Sequence, residues 1–171
     1  RTGHNVAAVK AASVPDADIL VLSAHHDSVP TAYGANDNAS GVAALLYTAE
    51  ALRNVPTDTE VRFLSFTDEE NGKNGSRTCT ASLTEEERTR IVGAIQFDML
   101  GGLGSSGSKV CTMDGETNWL SDLIGQKNAS FMMGAETASD HASFQLAGVP
   151  SVLGMQNGRG YLYHSAADVA S

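Results

Sequence analysis

The run Asp18-Ile19-Leu20-Val21-Leu22-Ser23-Ala24-His25-His26-Asp27 decides how this chain is read. Its first seven residues, DILVLSA, are almost continuously apolar and too few for a buried helix. That is the pattern of a strand covered on both faces. Two imidazoles and a carboxylate follow it immediately. The arrangement recurs downstream. Val61–Phe66 (VRFLSF) is β-rich and leads through Thr67 into Asp68-Glu69-Glu70, and Ile91–Phe97 (IVGAIQF), read as a central strand, ends on Asp98. A weaker strand is expected over Lys109–Met113. The last, Pro150–Leu153, runs through the Gly-rich loop Asn157-Gly158-Arg159-Gly160 towards His164.

Helical signals lie between these strands. After a loop rich in Gly, Asn, Asp and Pro, a helix is predicted from about Ser40, with Val42, Leu45, Leu46, Ala49 and Leu52 on one apolar stripe. A short helix should follow Gly75. Thr84 and Glu87 have capping-box spacing for another, and helices are expected over Asn118–Lys127 and Ser139–Leu146. At the start, Asn5–Lys10 reads as a strand beside Asp18–Ala24, joined to it by a polar turn at Pro15-Asp16. Strands interleaved with helices predict a single α/β domain over residues 1–171, built as a three-layer α/β/α sandwich around a mostly parallel mixed sheet. Ligands in such folds gather at the carboxyl ends of the strands, where these polar residues fall.

Composition narrows the classes. The 171 residues are 42% hydrophobic and 18% charged, a globular balance. The net charge is −9 with no basic run, which argues against nucleic acid or an anionic membrane as partner. No apolar stretch approaches the roughly 18 residues of a membrane span. Two cysteines, Cys79 and Cys111, cannot make a disulfide-rich scaffold, though they are a candidate pair in an extracytoplasmic protein.

Carboxylates and imidazoles after strands point to a borderline cation such as zinc. His25, Asp37, Glu70, Asp98 and His164 supply five ligands, enough for two metal ions if one carboxylate bridges. Of the adjacent pair Glu69-Glu70, one side chain can bind metal while the other faces water as general base. Asp27 is placed to accept the second ring N–H of His25. Each piece alone also has a plainer reading. Asn36-Asp37-Asn38 is a good Asx turn, and Asp68-Glu69-Glu70 is a good solvated surface.

Taken in order, the blocks resemble the M28 family of zinc peptidases, of the di-zinc aminopeptidase type. They are Ser23–Ser28 (SAHHDS), Gly34–Gly41 (GANDNASG), Asp68–Gly72 (DEENG) with Gly75-Ser76, Asp98-Met99, Ser139–Phe144 (SDHASF) and Tyr163–Asp168 (YHSAAD). The resemblance implies two zinc ions, one held by His25 and Asp98, the other by Glu70 and His164, with Asp37 bridging. It implies Glu69 as general base, Asp27 as the residue that orients His25, and Asp140 with His141 as supporting groups. The substrate would be a peptide with a free N-terminus, and the protein a secreted or extracytoplasmic monomer.

Departures from the family pattern are also legible. Glu136 stands where some relatives place an oxyanion-holding tyrosine, so Tyr161, Tyr163 or the metal alone would take that task. His26 replaces a frequent tyrosine and reads as a rim residue; His4 reads as solvated. The chain is short for the family, and flanking helices are expected outside it. Met99, Glu136, Phe144, Leu153, Met155 and Tyr163 are candidates for the substrate pocket, and Arg159 is the one nearby candidate for a substrate carboxylate. Two alternatives remain on sequence grounds: a single-zinc glutaminyl cyclase on the same scaffold, and a non-catalytic binding domain with the peptidase fold. A metalloprotease of the His-Glu-x-x-His type is excluded, since that motif is absent.

Overall fold

In the computed structural model, which describes residues 3–160 and 162–170, seven strands form one mixed sheet. In chain order the elements are β1 (Val6–Lys10), β2 (Ile19–His25), a helical turn (Ala35–Ser40), α1 (Gly41–Leu52), β3 (Glu60–Phe66), α2 (Asn74–Ala81), α3 (Glu85–Arg90), β4 (Ile91–Phe97), β5 (Ser108–Thr112), α4 (Trp119–Lys127), β6 (Met132–Ala135), α5 (His141–Leu146) and β7 (Ser151–Gln156). The strand order is β1-β3-β2-β4-β7-β5-β6. Strands β3, β2, β4 and β7 are mutually parallel. At the margins β1 runs antiparallel to β3, and β5 antiparallel to β7.

The parallel centre follows from the apolar runs. Leu22 and Ala24 of β2 pack with Val61 and Phe63 of β3 against Leu45 of α1, while Leu120 of α4 joins Val110 and Val152 on the same side. Ile19, Val21, Leu64, Phe66, Ile91 and Ala94 face the other way and meet Phe144 of α5. Helices thus cover both faces of the sheet, making three layers. Thr84 and Glu87 form the expected capping box, each side chain satisfying the other residue's backbone N–H.

Four expectations need correction. β1 does not lie beside β2: both edges of β2 are taken by parallel partners, so β1 adds to the outer edge of β3. Leu46 is 64% exposed, because the apolar stripe of α1 centres between Leu45 and Ala49 and leaves Leu46 at its margin. Phe144 does not reach the substrate cleft. It is 1% exposed and packs its ring 6.1 Å from that of Phe66 in the core. Cys79 and Cys111 are both free thiols, one on α2 and one in β5. Strand β6 carried no sequence signal: Met-Met-Gly-Ala is a poor β pattern, and pairing with β5 makes it a strand.

Candidate metal centre

Register along the parallel strands brings the polar residues to one rim. His25 pairs with Phe66, so β2 and β3 end side by side, and Phe97 pairs with Gly154 on β7. Asp98 therefore leaves the sheet next to His25, with Glu69 and Glu70 on the far side. Asp37 comes from the helical turn, and His164 from the loop beyond β7.

The ligand atoms form two groups of three that share Asp37. In one, His25 Nε2 lies 3.2 Å from Asp37 Oδ1 and 3.4 Å from Asp98 Oδ1. In the other, His164 Nε2 lies 3.2 Å from Asp37 Oδ2 and 3.1 Å from Glu70 Oε2. Within each group the donor atoms are all within 4.8 Å of one another. Asp37 thus turns one oxygen to each group. His25 Nε2, Asp98 Oδ1, Glu70 Oε1 and His164 Nε2 are buried and make no hydrogen bond. Each such atom would cost on the order of 1–3 kcal/mol if left without a partner. Three of them, His25 Nε2, Asp98 Oδ1 and His164 Nε2, converge in the two groups and fit the donor set of a bound cation.

Electrostatics point the same way. Burial disfavours a charged His25, yet the carboxylates of Asp27, Asp37 and Asp98 outweigh it and hold the imidazolium far above its ordinary range. Burial, opposed by His25 but reinforced by Asp140, Asp98 and Glu70, pushes Glu69 up to about 9. Burial and Asp37 raise Glu70. The group as a whole demands positive charge.

Side chains tie the ligand-bearing loops together. Asp27 accepts the backbone N–H of Glu69 on Oδ1 (3.0 Å) and of Glu70 on Oδ2 (3.2 Å). With its carboxylate so engaged, Asp27 takes His25 Nδ1–H chiefly on its main-chain oxygen, at 3.1 Å, the carboxylate lying 3.5 Å away. Asn38 brackets Asp98: its Oδ1 accepts from Met99 N–H and Gly41 N–H, and its Nδ2 donates to the Phe97 carbonyl. Ser139 donates to Asp98 Oδ2 at 2.7 Å. Asp168 accepts the N–H of Asn36 at 2.7 Å and of Asp37 at 3.1 Å. Met99 and His164 both sit at left-handed φ, 53° and 55°, a strain that persists only where surrounding contacts over-determine it. Asn38, Ser139 and Asp168 had no place in the sequence-level set of site residues. Their weight comes from loops meeting in space, and their only advance signal was lying inside the quoted blocks.

Behind this rim Asp140 is fully buried, accepts from Gln96 Nε2 at 3.3 Å, and is raised by burial to about 6. His141 is also buried and donates Nε2–H to the Glu136 carbonyl at 2.8 Å. His26 is exposed beside Ser65, and His4 is exposed. Among the described histidines, only His25 and His164 enter the two groups.

A cavity of about 40 Å³ opens beside Asp37, Glu69, Glu70 and Asp98, lined by Met99, Leu153, Met155 and Tyr163 with Glu136 and Arg159. Tyr163 stacks on His164 with ring centroids 3.7 Å apart, and the Arg159 guanidinium lies over Tyr163 while pairing with Glu136 at 3.1 Å. Burial raises the Tyr163 hydroxyl to about 12. Tyr161, the other candidate oxyanion donor, lies outside the described residues.

Known proteins resemble this chain in sequence and in fold. The chain is 35% identical over 161 residues to aminopeptidase YwaD of Bacillus subtilis, covering 88% of this chain and 35% of that protein. It is 36% identical over 157 residues to LpqL of Mycobacterium tuberculosis, described as a probable lipoprotein aminopeptidase, covering 79% of this chain and 31% of that one. The structure of BSAP, a zinc aminopeptidase from Bacillus subtilis, superposes with a TM-score of 0.91 at 32% identity, over 96% of this chain and 43% of that one. The chain thus spans less than half the length of these relatives. The sequence profile of Peptidase family M28 matches residues 5–171, and the chain belongs to that family.

Proposed function

We propose that this chain carries the catalytic centre of a zinc-dependent aminopeptidase that removes the N-terminal residue from peptides using two zinc ions. The observation that carries the reading is the pair of three-ligand groups sharing Asp37, with buried Glu69 beside them. His25 and Asp98 would hold one zinc, Glu70 and His164 the other, and Asp37 would bridge. The relatives named as aminopeptidases, and the one named a zinc enzyme, support the choice of reaction and metal. Zinc supplies positive charge that acidifies water and polarises the scissile carbonyl.

The chain's own residues do the rest. Glu69 adjoins the ligand Glu70 and is held in place at its backbone by Asp27. It takes a proton from the attacking water and returns it to the leaving amine. Positive charge held by the five ligands opposes the burial that raises Glu69, and brings its carboxylate towards the ionised form a base requires. The acidic wall, Glu70 and Asp98 included, favours the ammonium of a free N-terminus. The small cavity lined by Met99, Leu153, Met155 and Tyr163 receives that residue's side chain. An extracytoplasmic location is proposed with this reading, supported by the lipoprotein relative.

The test is zinc content per chain on protein kept from chelators, together with hydrolysis of leucine p-nitroanilide by wild type and Glu69→Gln. Near two zinc ions should be found in both proteins. Turnover should fall by about 10²–10⁴-fold in the variant, the usual weight of a general base. A single zinc without hydrolysis would instead favour the cyclase chemistry, and no metal at all a binding domain.

A further inference from the structure

We propose that Asp168 is a positioning residue that locks Asp37 and His164 into one unit, and so sets the zinc affinity of the Asp37–Glu70–His164 group. The inference rests on the two-zinc reading above and concerns a residue outside both ligand sets.

The five ligands are not held equally. His25 is the last residue of β2, a strand paired on both sides, so the sheet fixes its backbone. Asp98 follows β4 directly and is bracketed by Asn38 and Ser139. Glu70 has its N–H on Asp27. Asp37 and His164 lie on irregular backbone, where no ladder defines their positions, and they come from segments 127 residues apart in sequence. Ligand geometry on such segments must come from added contacts.

Asp168 supplies them. Its two carboxylate oxygens take the consecutive N–H groups of Asn36 and Asp37, at 2.7 and 3.1 Å. Its carbonyl oxygen takes the N–H of Ala35 at 3.3 Å. Its own N–H donates to the Ser165 carbonyl at 3.1 Å, closing a turn on the residue after His164. Among the described residues, four hydrogen bonds join segment 162–170 to the rest of the chain; three run through Asp168, and the fourth is from Thr31 Oγ1 to the His164 carbonyl. Asp168 is 4% exposed, so these bonds are shielded from competing water. One carboxylate therefore fixes the main chain of the shared ligand and ties it to the loop carrying His164. The His25–Asp98 side of the centre has its own supports and does not depend on this tie to the same degree.

The test is competitive chelator titration of the zinc-loaded chain, read as the affinity of each zinc ion. Wild type should release two ions. In Asp168→Ala one ion should be weakened by about 10–100-fold, the usual effect of removing a partner that orients ligands, and the other, whose further ligands His25 and Asp98 keep their own supports, by distinctly less. Asp168→Asn keeps one acceptor oxygen and should fall between. Glu87→Ala controls for general loosening. It removes another carboxylate that caps backbone N–H and pairs with Arg62, far from the centre, and should leave both affinities unchanged. Equal wild-type affinities in Asp168→Ala, or equal weakening of both ions, would overturn the proposal while leaving the two-zinc reading intact. Wild type binding a single ion would overturn that reading and this inference with it. If Asp168→Ala does not fold, Asp168→Asn decides, unchanged affinities again overturning the proposal.

Discussion

A neutral imidazole suits the place that His141 occupies, and a charged one does not. Its Nε2–H is used on the Glu136 carbonyl, its Nδ1 is buried without a partner, and burial lowers its pKa to about 4. The unfolded chain has the ordinary value near 6.5. As pH falls from about 6.5, the unfolded chain takes up this proton before the folded one, so stability drops until about pH 4 and then levels. The slope is at most about 1.4 kcal/mol per pH unit. Other groups titrate in the same range, Asp140 among them, so the measurement is a difference. Urea unfolding of wild type and His141→Asn between pH 4 and 7 should show wild type losing stability faster on acidification, and parallel curves would refute the assignment. At this scale the donor residues were readable as types placed after strands. Phe144 was misplaced because proximity to Asp140 in sequence does not reveal which face of α5 meets Phe66. Asp168 and Asn38 were not legible as ties because their partners are backbone amides on other loops.

The junction between the Ala35–Ser40 turn and α1 is where an element is tuned to the centre. Gly41 opens α1 with ordinary helical angles, φ −67° and ψ −41°. On helix propensity alone, alanine there would stabilise by about 1 kcal/mol. A Cβ would instead overlap Asn38 Oδ1 and the Phe97 carbonyl oxygen. These atoms belong to the bracket around Asp98, and one of them is backbone. Relieving the overlap costs about 1–3 kcal/mol by analogy with overpacked cores, so sterics should win. Gly41→Ala is expected to lower the chemical-denaturation midpoint and weaken zinc binding; a gain in stability would show that the bracket yields freely. The same elements show what the sequence could carry. Strand β2 was legible because it is covered on both faces and hence almost continuously apolar, and β3 and β4 because they are rich in β-branched, aromatic and other apolar residues. The position of β1 was not, since an exposed edge strand has no burial pattern to specify its neighbour, and β6 is defined only by pairing with β5.

Over the whole molecule the centre concentrates negative charge on a chain already at −9. The sheet explains why it can: the parallel strands end on one rim, and the loops are laced before any cation adds its share. Chelation should therefore expose a pH dependence that zinc conceals. Without metal, Glu69 at about 9, the raised Glu70 and the raised His25 bind protons more tightly in the folded chain than in the unfolded one. The folded state then holds more protons between about pH 4.5 and 9, so stability falls as pH rises through that window. Zinc acts in the opposite sense. It binds deprotonated ligands better as pH rises, and at a free concentration of 1,000 Kd a single ion stabilises by about 4 kcal/mol. Calorimetric melting with and without chelator at pH 6 and pH 8.5 should give a higher Tm for the zinc form at both values and a wider gap at pH 8.5. A gap that stays constant or narrows would mean that His25, Glu69 and Glu70 do not together carry the raised proton affinity that their surroundings imply.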